Sequence, residues 1–151
     1  MNPIQNTKTL IVLPPGGADD GDFAAVTPVD VSGYGHARFI VITGSLAAAI
    51  GSVAEDSALK VQECDTVDGT YVDRQGAALA APLAATDDNK SFAIDINLQN
   101  GSHGRYMKIA QPHVGDGSGT DSNLAITAIL SKPEIGPANA TEQGLDELVV
   151  T

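Results

Sequence analysis

Tryptophan is absent, and phenylalanine and tyrosine number three each in 151 residues. Sugar-binding modules rely on aromatic platforms, so this scarcity counts against a glycan-binding surface. A lone cysteine, Cys64, excludes an internal disulfide framework and any multi-cysteine zinc site. Cationic residues are few: eight Lys and Arg against nineteen Asp and Glu give a net charge of −11. Phosphate-backbone binding draws on clustered cations and no segment forms a basic arm, so nucleic acid is not an expected partner. No apolar run approaches the ~18–20 residues of a membrane-spanning helix, so a membrane is not expected either. The opening, Met1-Asn2-Pro3-Ile4-Gln5-Asn6, lacks the basic and apolar regions of a secretory signal, and export by that route is not expected.

Turn residues, by contrast, are plentiful. Sixteen Gly and eight Pro are spread along the chain, which favours many short elements over a few long helices. Thr9 to Leu13 is a short apolar run that Pro14-Pro15-Gly16-Gly17 is expected to stop. After the polar turn Ala18 to Asp22, an extended segment places Val29 and Val31 on one face and Asp30 on the other. Pro28 removes an amide donor there, which puts this strand at an edge or interrupts it. Ala37 to Thr43 is the strongest β segment, rich in branched and aromatic side chains.

Leu59 and Val61 share a face opposite Lys60 and Gln62, and Asp68-Gly69 then marks a hairpin. Six alanines over Gly76 to Ala85 tempt a helix, but Pro82 interrupts it, and a packed loop is expected. Phe92, Ile94, Ile96 and Leu98 alternate cleanly and should face inward. Arg105 to Ala110 and Leu124 to Leu130 give two more strands, joined by a long glycine-rich turn over 113–121. A helical turn fits only within Ser45 to Ser57. Seven or eight short strands at this spacing predict an all-β fold, an antiparallel β-sandwich of jelly-roll kind. The division is an N-terminal arm over 1–8, a sandwich domain over 9–131 and an extended C-terminal arm over 132–151. In that last arm Leu145, Leu148, Val149 and Val150 form an apolar patch that needs a covering surface, on its own domain or a neighbour.

Chemistry-bearing groups do not converge in the sequence. His36, His103 and His113 match no compact metal spacing and are expected in turns or at the surface. Cys64 sits beside Asp65, whose charge raises a thiol pKa, so a structural, half-buried thiol is expected. Asp65, Asp68 and Asp73 surround a hairpin tip, where solvated carboxylates are the ordinary outcome and a Ca²⁺ site on Asp65 and Asp68 the rival one. Asp116 and Asp121 invite the same idea without the ligand alternation of a calcium loop, and Asp19-Asp20-Gly21-Asp22 suits a turn. Gly117-Ser118-Gly119 is not a nucleophile elbow. The expectation is a chain with no catalytic residue, no metal and no cofactor.

Three ordered segments resemble a family of small phage virion proteins, the head decoration or cement proteins. The first runs from Val29 to Val41 through the turn Ser32-Gly33-Tyr34-Gly35. The second is Leu59 to Asp65 followed by Asp68-Gly69-Thr70-Tyr71-Val72-Asp73. The third is Gly104 to Ile109, an Arg-Tyr at the head of a strand, ahead of Ala125 to Leu130. The resemblance covers roughly 5–134 and is loosest after Pro133. It implies a β-sandwich that assembles, commonly as a homotrimer, over junctions of the major capsid protein on the outer surface of the virion. The family has no catalytic motif, so no active-site residue is carried over.

On that basis Arg38, Arg105 and Tyr106 are candidate interface anchors, since Arg and Tyr are enriched at binding hot spots. Leu145, Leu148 and Val149 are candidates in the C-terminal arm. Arg105 pairing with a local carboxylate and Tyr106 capping the sandwich core is the rival reading. A cement protein fits the composition, because many contacts over several subunits replace a single strong site. The alternative function is a receptor- or glycan-binding module of a phage tail or surface appendage, using the loops at 65–70 and 113–121. A hydrolase built from scattered acids is the third and weakest reading.

Overall fold

The computed structural model describes residues 6–133; Leu145, Leu148 and Val149, and most of both expected arms, lie outside the described residues. Among the described residues there are eleven strands: β1 Thr7–Ala18, β2 Gly21–Asp22, β3 Val29–Asp30, β4 Tyr34–Thr43, β5 Ile50–Ser52 and β6 Lys60–Cys64, followed by β7 Val72–Ala78, β8 Ser91–Asn97, β9 Tyr106–Ile109, β10 Pro112–Val114 and β11 Ser122–Pro133. Every pairing is antiparallel. The sheets run β1-β11-β4-β8, β3-β9-β6-β7 and, smaller, β2-β10-β5.

The third sheet continues the second. β2 and β3, β5 and β6, and β9 and β10 are successive pieces of three interrupted strands that pair with one another in the same order. Joined in this way they leave eight strands in two sheets. By chain order one sheet reads first, eighth, third, sixth, and the other second, seventh, fourth, fifth. That is the jelly-roll arrangement of two Greek keys, the sandwich the strand spacing predicts.

Between the two sheets lies one apolar core. Phe39, Val41, Ile126 and Leu130 come from the first sheet, Val61, Met107 and Ile109 from the second, each with no exposed surface. Phe23, Leu46, Ile50, Leu83 and Val114 close one end. The alternation expected for 92–98 holds, with Ile94, Ile96 and Leu98 buried and Phe92 packed against the core. Val29, Val31, Leu59 and Val61 are buried as expected, and β3, just after Pro28, is a two-residue strand at a sheet edge. A proline costs least there, because the missing donor faces no ladder.

Five sequence expectations need correction. β1 does not stop at Pro14. It continues to Ala18 through register shifts between Ile11 and Leu13 and between Leu13 and Gly16. As an edge strand it tolerates Pro14 and Pro15 by bulging away from the ladder. Its start at Thr7, and the end of β11 at Pro133, also take Thr7, Lys8, Lys132 and Pro133 from the arms into the sheet. The segment 45–57 holds strand β5 in place of a helical turn. The packed loop begins only after Ala78, because Gly76, at φ +77, bulges β7 past β6. Finally, His113 and Val114 belong to β10 and pair on both sides, so the glycine-rich turn begins after them.

Candidate functional site

The two outer faces of the sandwich differ in chemistry. On the second sheet, Met107 and Ile109 point inward, so Tyr106 and Lys108 point out. Polar groups there satisfy one another. Lys60 Nζ lies 2.6 Å from Asp73, whose other oxygen accepts from Gln62 at 2.9 Å. Arg105 donates to Asp30 at 2.7 and 3.1 Å and lies 5.3 Å from the Tyr106 ring, while Lys108 lies 4.4 Å from the Tyr71 ring.

The first sheet is different. With Ala37, Phe39, Val41 and Thr43 buried, β4 turns His36, Arg38, Ile40 and Ile42 outward. In register beside them, β11 presents Ala125, Thr127 and Ile129, β1 presents Thr9 and Ile11, and β8 presents Ala93 and Asp95. One row across the sheet reads Ile11, Thr127, Ile40, Ala93; the next reads Thr9, Ile129, Arg38, Asp95. Ile11 and Ile42 are 65 % and 45 % exposed. An apolar groove of about 470 Å³ continues this surface from Ile42 and Ala125 to Pro15 and Gly16, where β1 bulges.

This face is also close to electrically neutral in an acidic chain. Among the described residues its one carboxylate is Asp95, held by Arg38 through two hydrogen bonds of 2.7 and 2.8 Å, with His36 Nε2 3.5 Å away. A sheet face that presents Ile11, Ile40, Ile42 and Ile129 beside a paired ion has the mixed apolar and polar chemistry of a binding surface.

The sequence candidates are therefore divided. Arg38 lies on the apolar face, whereas Arg105 and Tyr106 lie on the opposite side of the sandwich. Arg105 has found the local carboxylate, Asp30, and Tyr106 faces away from the core. Ile11, Ile40, Ile42 and Ile129 were not singled out from the sequence. The signal was present: Phe39-Ile40-Val41-Ile42 is apolar at both parities, the pattern of a strand with two apolar faces.

Of the remaining candidates, Cys64 is half-buried, with its Sγ 4.0 Å from the Thr66 hydroxyl. His36 lies 3.4 Å from the Ser131 hydroxyl, His103 2.9 Å from the Gly104 carbonyl, and His113 2.9 Å from Asp22. Asp19 accepts from the amides of Gly119 and Thr120 at 3.0–3.1 Å and so ties down the glycine-rich loop. Beside the β6–β7 hairpin a cleft of about 410 Å³ is lined by Glu63, Asp65, Thr70 and His103. Glu63 is already engaged there by Arg74 at 2.6 Å and the Gly104 amide at 3.2 Å. Among the described residues no three His, Cys, Asp or Glu side chains group as a metal ligand set.

The ion pairs set an acid limit on stability. The hydrogen bond from Arg105 lowers the Asp30 carboxyl to about 2 from an ordinary 3.8, partial burial opposing it and Ser32 reinforcing it. Arg38 likewise lowers Asp95, and Lys60 with Gln62 lowers Asp73. A carboxyl depressed in the folded chain contributes stability above its unfolded value, which is lost as pH falls from about 4 toward 2. Asp30 is 38 % exposed, so after solvent screening its share is about 1 kcal/mol at most. Denaturant titrations at pH 7, 4 and 2.5 should show stability falling below pH 4. The fall should be smaller in Asp30→Asn; parallel profiles would contradict this assignment.

No family model matches the chain, and no curated protein matches it. Among solved structures it is similar to the crystal structure of SPBc2 prophage-derived protein YomS, at 9 % sequence identity and a TM-score of 0.47. That likeness covers 83 % of this chain and 93 % of the other.

Proposed function

We infer that the protein is a non-enzymatic phage virion component that decorates the outside of the head and stabilises it against the major capsid protein. The observation that carries this reading is the neutral isoleucine face of the β1-β11-β4-β8 sheet, a broad surface suited to lying on another protein. The ordered resemblance over 29–41, 59–73 and 104–130 supplies the class of partner. It also supplies a homotrimer as the expected assembly. Each copy places a modest apolar face on the shell, and three linked copies gain affinity by avidity.

The face explains why Arg38 belongs to this reading and Arg105 does not. Arg38 and Asp95 form a rim pair that fixes register on the partner while contributing little affinity, as exposed ion pairs do. Virions made with and without the chain test the proposal. With the chain, electron microscopy should show surface knobs and the heads should retain DNA to a higher temperature. Bare heads of identical stability in both preparations would contradict it. In a glycan array and a calcium titration the chain should be silent; a clear glycan signal would replace the shell with a receptor.

A further inference from the structure

We propose that β8 is a self-pairing edge: a second copy of this chain adds its own β8 there, antiparallel, and two sheets become one. Among the described residues the sandwich has four sheet edges, and three of them are guarded against strand addition. β1 carries Pro14, Pro15 and two register shifts, and its Val12 carbonyl already accepts from the Thr27 amide at 2.9 Å. β2 and β3 are two residues each, β3 directly behind Pro28. β7 bulges at Gly76. β8 has no such device. Its seven residues keep an unbroken register with β4 from Ser91 to Asn97 and include no proline.

The ladder decides which backbone groups stay open. The Thr43 amide donates to the Lys90 carbonyl and the Leu98 amide to the Gly35 carbonyl, so the even positions of β8 face β4. The amides and carbonyls of Ser91, Ala93, Asp95 and Asn97 therefore point to the open edge, and all four residues are exposed. The strand's own sequence selects the occupant. Paired about Ile94 on a two-fold axis, Ser91 meets Asn97 of the second copy and Ala93 meets its Asp95. All four open positions then bond, through about eight hydrogen bonds. On the core side Phe92, only partly buried in one copy, meets Ile96, and Ile94 meets itself. Shifting the register either way leaves one end unpaired, and one of the two shifts sets Asp95 against Asp95. In the favoured register each Asp95 keeps its own Arg38. The joined sheet carries the isoleucine face on both halves, side by side. Being two-fold, the contact is separate from the three-fold assembly inferred above, and on a shell it would tie one cluster to the next. It is read on the purified chain alone, so it can fail while the shell reading stands.

Ala93→Pro removes an amide donor that faces away from β4, so the chain's own ladder is untouched. By sedimentation velocity the purified protein should have the mass of two chains and Ala93→Pro that of one. Thermal unfolding of the variant at a concentration where both are single chains should stay within about 2 °C of the original. A single-chain mass for the unsubstituted protein at every concentration, or any larger mass that Ala93→Pro leaves unchanged, would overturn the proposal. Hydrogen exchange on the unsubstituted protein gives a check that needs no variant. In the paired form the amides of Ala93, Asp95 and Asn97 should be protected to within about tenfold of those of Ile94 and Ile96. Fast exchange at the odd positions alone would also overturn it.

Discussion

Replacing Ile11 and Ile42 together by aspartate should weaken attachment to capsid shells about a hundredfold, with the folded state left intact. Each isoleucine stands on the outer face of the β1-β11-β4-β8 sheet, Ile11 65 % and Ile42 45 % exposed, so neither belongs to the buried core. Substitutions at such positions usually change stability by about 0.5 kcal/mol or less. At an interface the same change buries a carboxylate against apolar surface, and residues at an interface centre are worth about 2 kcal/mol or more each. Two such losses would approach a thousandfold at ~1.4 kcal/mol per tenfold, and partial exposure of the rim reduces that to about a hundred. Co-sedimentation of the purified variant with shells lacking the chain measures the loss, and circular dichroism checks the fold. Undiminished binding would remove this face from the function.

Phe39→Ala probes the opposite side of the same strand. Phe39 has no exposed surface and sits on β4, which pairs with β11 on one side and β8 on the other. Truncating a buried phenylalanine removes its transfer free energy and leaves a cavity the two stiff sheets cannot close, for a cost of about 3–5 kcal/mol. Against a total of about 5–15 kcal/mol, that is a large fraction of the stability. Thermal unfolding should move down by on the order of 10 °C in a domain this size. A shift of only a degree or two would mean the sheets collapse onto the gap, contrary to the packing described above.

Much of the sandwich was legible because a half-buried strand writes its geometry into period-two alternation. Phe92 to Leu98 and Leu59 to Val61 needed no more than that. Pro28 announced its edge through a missing amide, and Asp68-Gly69 its hairpin through tolerance of turn geometry. Pro14-Pro15 misled for the same reason that Pro28 informed. A proline pair breaks a ladder only where a partner needs its donors, and β1 has a partner on one side and bulges free of it. The short strands β2, β5 and β10 left no local trace, since each is two or three residues long and exists only because the others hold it.

The candidate surface was harder to read. Arginine and tyrosine are the residue types expected to anchor an interface, yet Arg38 and Arg105 face carboxylates of their own chain. What distinguishes the face is position rather than residue type. Ile11, Ile40, Ile42 and Ile129 belong to three strands far apart in sequence, and only the β1–β11 and β11–β4 register brings them side by side. No local pattern predicts that adjacency, though the double apolar parity of 39–42 was its one visible half.

The central claim is that this protein acts by laying one sheet face on a capsid shell. Cryo-electron microscopy of virions from the genome that encodes it, at a resolution that orients the strands, tests that claim directly. The account predicts jelly-roll density on the outside of the head, three copies to a cluster, with the β1-β11-β4-β8 sheet turned toward the major capsid protein. Heads without such density, or with the charged β3-β9-β6-β7 sheet turned toward the shell, would contradict it.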